Sequence, residues 1–300
     1  MLKLESKIAL AKFTSIKIGG IASQFYEPTN LDDFTQCLNN LKDRSIPFFV
    51  LGGGSNLLIS SQGFEGLVIR TTKLTNITQI DDTRILADAG VRLPHLAKFA
   101  ASLNLSGLEF SCGIPGTVGG GVIMNAGAHG SSMSNLVEYI NIFDLKSHSV
   151  KKLTKNELAF EYRKCILDSQ NEVVLNACLK LEPGIKEAIL AKIKINEDYR
   201  WRTQPLSYPN AGSTFKNHSI DKQAGKLLDL AGVKNLTCGG ASVSAIHANF
   251  VINIGQASSS DVLELLKKMQ DSVWQKFNIK LHPEWKTLGT FENTIQDIWD

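Results

Sequence analysis

Residues 111–130, SCGIPGTVGGGVIMNAGAHG, place seven glycines in twenty positions, a density that no ordinary helix or strand carries without a compensating reason. Glycine in regular structure costs roughly 0.5–1 kcal/mol relative to alanine. It is kept where the chain must turn through φ > 0, or where backbone amides must converge on an anion. A second cluster, Gly52-Gly53-Gly54-Ser55-Asn56, directly follows an apolar run over 48–51 that reads as a buried strand. One such loop is a tight turn about as often as a ligand site. Two loops, both richer in glycine than a turn requires, point to a ligand with an extended diphosphate.

With 300 residues the chain exceeds what one core usually organises, so two domains are expected. Hydrophobic residues make up 43% and charged residues 20%, which excludes a disordered chain, a fibre and a disulfide scaffold. The net charge of +3 gives no basic footprint for nucleic acid. Cys37, Cys112, Cys165, Cys178 and Cys238 are odd in number, widely spread and without a C-x-x-C pair, so they read as free thiols of a reducing compartment. No apolar run approaches the ~18 residues of a membrane span, and the first residues lack the apolar core of a signal peptide. A cytoplasmic protein without membrane or nucleic-acid partners, monomeric, is the expectation.

Asn30 should cap a helix bearing Leu31, Phe34, Leu38 and Leu41 on one face. Strands are expected over 48–51, 57–59 and 67–69, with a turn at 61–63, and a helix begins near Pro94. Gly113–Gly121 reads as a glycine-rich loop. Strands follow over 140–145, 150–153 and 172–181 until Pro183-Gly184 breaks the run. A helix over 185–199 opens the last third, which adds a helix through Ala224, Leu227 and Leu228 closed by Gly232, and a strand near 250–254. A final helix starts at the capping box Ser258-x-x-Asp261 and lines up Val262, Leu266, Met269, Val273 and Phe277. Strands and helices mix without βαβ alternation, so the class is α+β.

The chain holds no G-x-G-x-x-G and no P-loop, and its six histidines form no metal-ligand spacing. No metal site is expected. In the last third, Pro209-Asn210-Ala211-Gly212-Ser213-Thr214-Phe215-Lys216-Asn217 gathers a turn, a hydroxyl, a cation and an amide, with Phe215 as an anchor between polar groups.

These residues match a known family. The chain resembles the UDP-N-acetylenolpyruvoylglucosamine reductases, flavoenzymes of peptidoglycan synthesis. The match runs in order through Thr14–Gly20, Leu51–Leu57, the GIPGTVGG segment to Gly127, Tyr162-Arg163, Asn210–Asn217, Gly239-Gly240-Ala241, His247–Phe250, and Glu284 to Gly289. The short spacing after Arg163 is similar to the family's shorter, second subtype. The resemblance implies an FAD-binding domain of the vanillyl-alcohol-oxidase (PCMH) type over 1–184, with two subdomains split near 72, followed by a smaller α+β substrate-binding domain over 185–300.

It further implies that Gly52, Gly53, Gly54, Ser55, Asn56, Leu57, Gly113, Ile114, Pro115, Gly116, Thr117, Gly119, Gly120, Asn125 and Gly127 hold a non-covalent FAD. NADPH would be co-substrate, and hydride would pass through flavin N5 to C3 of the enolpyruvyl group of a UDP-sugar. Arg163 would stabilise the enolate, Ser213 would protonate C2, and Glu284 would occupy the third catalytic position. Tyr162, Gln204, Lys216, Asn217 and Asn249 would bind substrate. The sequence departs from the family pattern at Phe13, His129 and Cys165 without removing a catalytic position. An FAD-dependent oxidase of the same fold, acting on an alcohol or lactone, is the alternative enzyme. A nucleotide-sugar-binding regulator without catalysis is the non-enzymatic one, and it would require loss of Arg163, Ser213 or Glu284.

Overall fold

The computed structural model describes residues 3–41, 46–168, 170–291 and 294–299, and the architecture is α+β. Contacts divide the chain into two compact units that interleave in sequence. The first comprises Met1–Leu4, Tyr26–Gly53 and Val68–Arg200; the second comprises Glu5–Phe25, Gly54–Leu67 and Trp201–Asp300. Residues 5–25 and 54–67 therefore go with the last hundred residues by contact.

The first unit is organised by a five-stranded antiparallel sheet in the order Ser149–Thr154, Val137–Asp144, Glu172–Lys180, Arg84–Asp88, Ile77–Gln79. Its core joins Ile85, Ala87, Ile140, Ile142 and Val174 to Leu93, Leu96 and Ala100 of the Leu93–Ser102 helix, and to Ile189 and Ile193 of the Lys186–Thr203 helix. Each of the leucine, isoleucine and valine side chains contributes about 1.5–3 kcal/mol when fully buried. In the Leu31–Asn39 helix the Asn30 side chain accepts the Asp33 N–H, as the sequence predicts.

The glycine-rich stretch corrects one expectation. It is not all loop: Val118–Ile123 is helical despite Gly119, Gly120 and Gly121. Tertiary packing overrides propensity here. A Cβ on Gly119 would stand 3.0 Å from the Ala89 Cβ, and Val118 and Gly119 donate their N–H groups to the carbonyls of Val91 and Ala89. The end of the stretch forms a small hairpin, Gly127–Ala128 against Ser131–Ser132, turned by His129 and Gly130 at positive φ.

The second unit contains the antiparallel sheet Asn210–Ser213, Phe250–Asn253, Ala241–Val243, Thr237–Cys238. The Ser259–Phe277 helix starts at the anticipated Ser258–Asp261 capping box and buries Val262, Leu266, Met269 and Val273. The Ala224–Leu230 helix is followed by Gly232 at φ 78, where a left-handed residue ends the turn. Strand Leu57–Ile59 pairs in parallel with Lys286–Leu288. That pairing brings the residues just before each strand, 56 and 284–285, to the same edge.

Candidate active site

In the first unit, the two glycine loops meet. A Cβ on Gly52 would lie 2.4 Å from Thr117 Oγ1, and one on Gly53 would lie 3.0 Å from the Pro115 carbonyl oxygen. Only glycine permits this approach. Thr117 is buried, and its Oγ1 has no hydrogen-bond partner among the described residues. Among the described residues of this unit, the N–H groups of Gly52, Gly53, Gly116 and Gly120 donate none of the turn, loop or cap hydrogen bonds. A buried hydroxyl left unbonded costs about 1–3 kcal/mol, so an orphan beside unengaged amides marks a place for a hydrogen-bonding ligand. Ile114 donates its N–H to Ser111, and Pro115 is exposed.

Arg163 sits in a tight turn in which Glu161 and Lys164 exchange backbone hydrogen bonds. Its φ of 58 is left-handed, a conformation costing a side-chain-bearing residue of order 1–3 kcal/mol. Neighbouring groups hold it there. Asn125 donates Nδ2–H to the Glu161 carbonyl at 2.8 Å and accepts the Ser134 N–H on Oδ1 at 3.0 Å. Arg163 Nη1 donates to the Gly127 carbonyl at 3.1 Å, and its guanidinium lies 5.4 Å from the centre of the Tyr162 ring. The carboxamide of Asn125 is thus committed to the arginine turn.

In the second unit, Ser213 ends the Asn210–Ser213 strand after a register shift, with Gly212 at φ 77. Such a bulge re-aims the side chain that follows it. The Ser213 hydroxyl is half-buried and makes no hydrogen bond within the described residues. Gly212 faces the Ser55 carbonyl, which a Cβ would approach to 4.0 Å. One residue on, Thr214 accepts the Glu284 N–H at 2.8 Å. Asn56 donates Nδ2–H to the Glu284 carbonyl at 3.2 Å, and Lys286 returns an N–H to the Asn56 carbonyl at 3.0 Å. Ser15 adds a hydroxyl bond to the Asn210 carbonyl at 2.6 Å. Ser55, Asn56, Ser213 and Glu284 are therefore one cluster within one unit.

Other expected site residues are occupied by the fold itself. Asn249 is buried and clamps Phe215, accepting its N–H and donating to its carbonyl, both at 2.9 Å. Asn217 Oδ1 accepts the Ala224 N–H at 3.0 Å, at the start of the next helix. Leu57 is buried in the parallel strand pair. Lys216 bonds its N–H to the His282 carbonyl and keeps its side chain half-exposed. Gln204 is half-exposed at the end of the Lys186–Thr203 helix. Among the described residues, no group of three or more His, Cys, Asp or Glu is placed to hold a metal ion, and no helix is long and apolar enough to cross a membrane.

Comparison with known proteins agrees with both halves of this description. Residues 22–149 match the FAD binding domain family, and residues 204–288 match the family described as UDP-N-acetylenolpyruvoylglucosamine reductase, C-terminal domain. The UDP-N-acetylenolpyruvoylglucosamine reductase of Caldanaerobacter subterraneus is 41% identical over 287 residues, covering 96% of this chain and 94% of its own. This chain belongs to the UDP-N-acetylenolpyruvoylglucosamine reductase family. The reductase of Anoxybacillus flavithermus is 39% identical over 281 residues, covering 93% and 92%. The crystal structure of the Thermus caldophilus reductase superimposes with a TM-score of 0.81 at 33% identity, covering 96% of this chain and all of that one. For a member of this reductase family with an FAD-binding domain, the orphaned Thr117 hydroxyl, the close approach at Gly52 and the unengaged amides fit the diphosphate of FAD.

Proposed function

We propose that the protein reduces UDP-N-acetylglucosamine enolpyruvate to UDP-N-acetylmuramate with NADPH, in the cytoplasm, as a step of peptidoglycan precursor synthesis. The observation that carries this reading is that Ser213, with no side-chain hydrogen bond among the described residues, directly precedes Thr214, whose carbonyl accepts the Glu284 N–H, in a member of the reductase family. The residues that would hold FAD are Gly52, Gly53, Ser55, Asn56, Gly116, Thr117 and Gly120. When bound there, FAD would supply the hydride-transfer chemistry that links NADPH to C3 of the enolpyruvyl group.

Hydride addition at C3 leaves negative charge on C2 and the adjoining carboxylate. Arg163 answers that charge with a guanidinium whose orientation is set before substrate arrives, by its left-handed backbone and its bond to Gly127. A preorganised donor of this kind is worth about 10²–10³ in rate. Ser213 donates its hydroxyl proton to C2. A serine is a weak acid, which suits protonation of a strongly basic carbon, and a positioned donor contributes about 10²–10⁴. Glu284 acts at the carboxylate end, in its protonated form or through water. Tyr162 and Lys216 orient the substrate, while Asn249 acts by holding the Ser213–Lys216 segment in place.

Product analysis tests the proposal. Purified protein incubated with NADPH and the enolpyruvyl UDP-sugar should yield a product two mass units heavier than the substrate, with NADPH consumed one for one. NADPH oxidation that proceeds at the same rate without the UDP-sugar, and forms no lactyl product, would refute it.

A further inference from the structure

The second unit carries a row of positive groups that leads away from Glu284. Phe215 pairs antiparallel with Pro283, and Lys216 donates its N–H to the His282 carbonyl at 2.9 Å. Facing residues of an antiparallel pair project to one side, so Lys216 and His282 share a face. Burial alternates along 279–285. Ile279, Leu281, Pro283 and Trp285 are buried, whereas Lys280 and His282 are exposed and Glu284 is half-buried. Ile279, Leu281 and Trp285 join Phe215 in the core, which leaves Lys280, His282 and Glu284 on the outward face with Lys216. His218, two residues beyond Lys216, is exposed as well. Burial, and then the charges of Lys280, Lys216 and His218, hold the His282 imidazole below its ordinary range. Every charge that acts on His282 is positive, so the four side chains gather without a carboxylate to offset them there. An anion placed among them relieves that repulsion.

We propose that Lys280 and His218, with Lys216 and His282, bind the 2′-phosphate of NADPH and set a preference for NADPH over NADH. The proposal rests on the reaction proposed above and deepens it by naming what selects the reductant. Two phosphate-bearing molecules bring a reacting group to the Glu284 end of the site, and their spacings differ. In the UDP-sugar one pyranose ring separates the enolpyruvyl group from the diphosphate. In NADPH a ribose, a diphosphate and a second ribose separate the nicotinamide from the 2′-phosphate. Lys280 stands four residues from Glu284, roughly 13 Å along an extended chain, which suits the longer spacing. A phosphomonoester also carries close to two negative charges at neutral pH, against one on each phosphate of a diphosphate ester. The row is exposed, so each contact is screened and worth little alone; selectivity comes from several acting together.

The test uses flavin-loaded protein, kept anaerobic and without the UDP-sugar, so that only reduction of the flavin by the nicotinamide nucleotide is read. Lys280→Gln, His218→Gln and the double variant change exposed side chains outside the groups proposed to act on the substrate. Wild type should half-saturate at a lower concentration of NADPH than of NADH. Each single variant should raise the NADPH value by about 3–10-fold, and the double variant by more, while the NADH value stays within about twofold. Lys280→Arg should keep the preference. Adenosine 2′,5′-bisphosphate should inhibit wild type more strongly than AMP, a comparison that decides the matter even where a variant does not fold. Equal half-saturation by NADPH and NADH in wild type, or variants that weaken both alike, would overturn the proposal and leave the reductase reading intact. Weaker inhibition by UDP with an unchanged NADPH-to-NADH ratio would assign the row to the substrate diphosphate, which also overturns it. Wild-type flavin reduced by neither nucleotide would contradict the proposed reaction, and this proposal with it.

Discussion

Asn56 donates its side-chain N–H to the backbone carbonyl of Glu284 at 3.2 Å, across 228 residues of sequence. The parallel strands Leu57–Ile59 and Lys286–Leu288 set this contact, because they begin one residue after Asn56 and two residues after Glu284. The last residue of a glycine loop is therefore tied to the residue proposed for the third catalytic position. Asn56→Asp puts a carboxylate against a carbonyl oxygen in the same geometry. We expect kcat/KM to fall by about 10–100-fold, and stability by about 1–3 kcal/mol, from the lost hydrogen bond and the new repulsion. Steady-state kinetics and thermal melting check both; a fully active variant would show that the link carries no function.

Thr117→Val keeps the side-chain shape and removes the orphaned hydroxyl. Because that hydroxyl is buried and unbonded among the described residues, the apoprotein should be as stable as wild type or more so. FAD affinity should fall by about tenfold or more, the worth of a hydrogen bond to a charged group. Fluorescence titration with apoprotein and a melting curve separate the two effects. A destabilised apoprotein with normal FAD affinity would assign Thr117 to packing.

Ser213→Ala should leave the bleaching of the flavin by NADPH within about twofold of wild type, while slowing reoxidation by the enolpyruvyl substrate by about 10²–10⁴. Rapid-reaction absorbance at the flavin band follows each step on its own. Equal slowing of both would mean that Ser213 serves flavin binding and is no proton donor.

Local patterns were legible in the sequence, and long-range ones were not. The strands Phe48–Leu51 and Leu57–Ile59 and the caps at Asn30 and Ser258 follow from residues within a few positions of each other. The Val118–Ile123 helix does not, since its glycines are excused by Ala89, Leu93 and Met133, which lie elsewhere in the chain. The family resemblance assigned Asn125, Asn217 and Asn249 to the site as cofactor- or substrate-binding groups. It could not say that their carboxamides bond to backbone, because a side chain's partner is fixed by the fold. Glycine density marked the loops, but in Gly119 and Gly121 it reflects packing. The left-handed turn of Arg163 left no sequence signal.

Asp88 gives the fold a pH dependence. Burial pushes its carboxyl up to about 6, and the hydrogen bond from the Asn76 backbone offsets only part of that. Between about pH 4 and 6 the folded protein then binds more protons than the unfolded chain, so stability falls as pH rises through that window and levels off above it. The full difference is roughly 3 kcal/mol. Asp88→Asn should raise the melting temperature by several degrees at pH 7.5 and give no gain at pH 4. A gain of equal size at both pH values would contradict this assignment.

The most direct measurement is anaerobic mixing of the flavin-loaded protein with NADPH, followed by the enolpyruvyl UDP-sugar, with absorbance recorded throughout. The account predicts that the yellow colour bleaches with NADPH and returns on adding the UDP-sugar, in the absence of oxygen, with one lactyl product formed per flavin reoxidised. A flavin that stays bleached under the UDP-sugar and recovers only when air is admitted would contradict it.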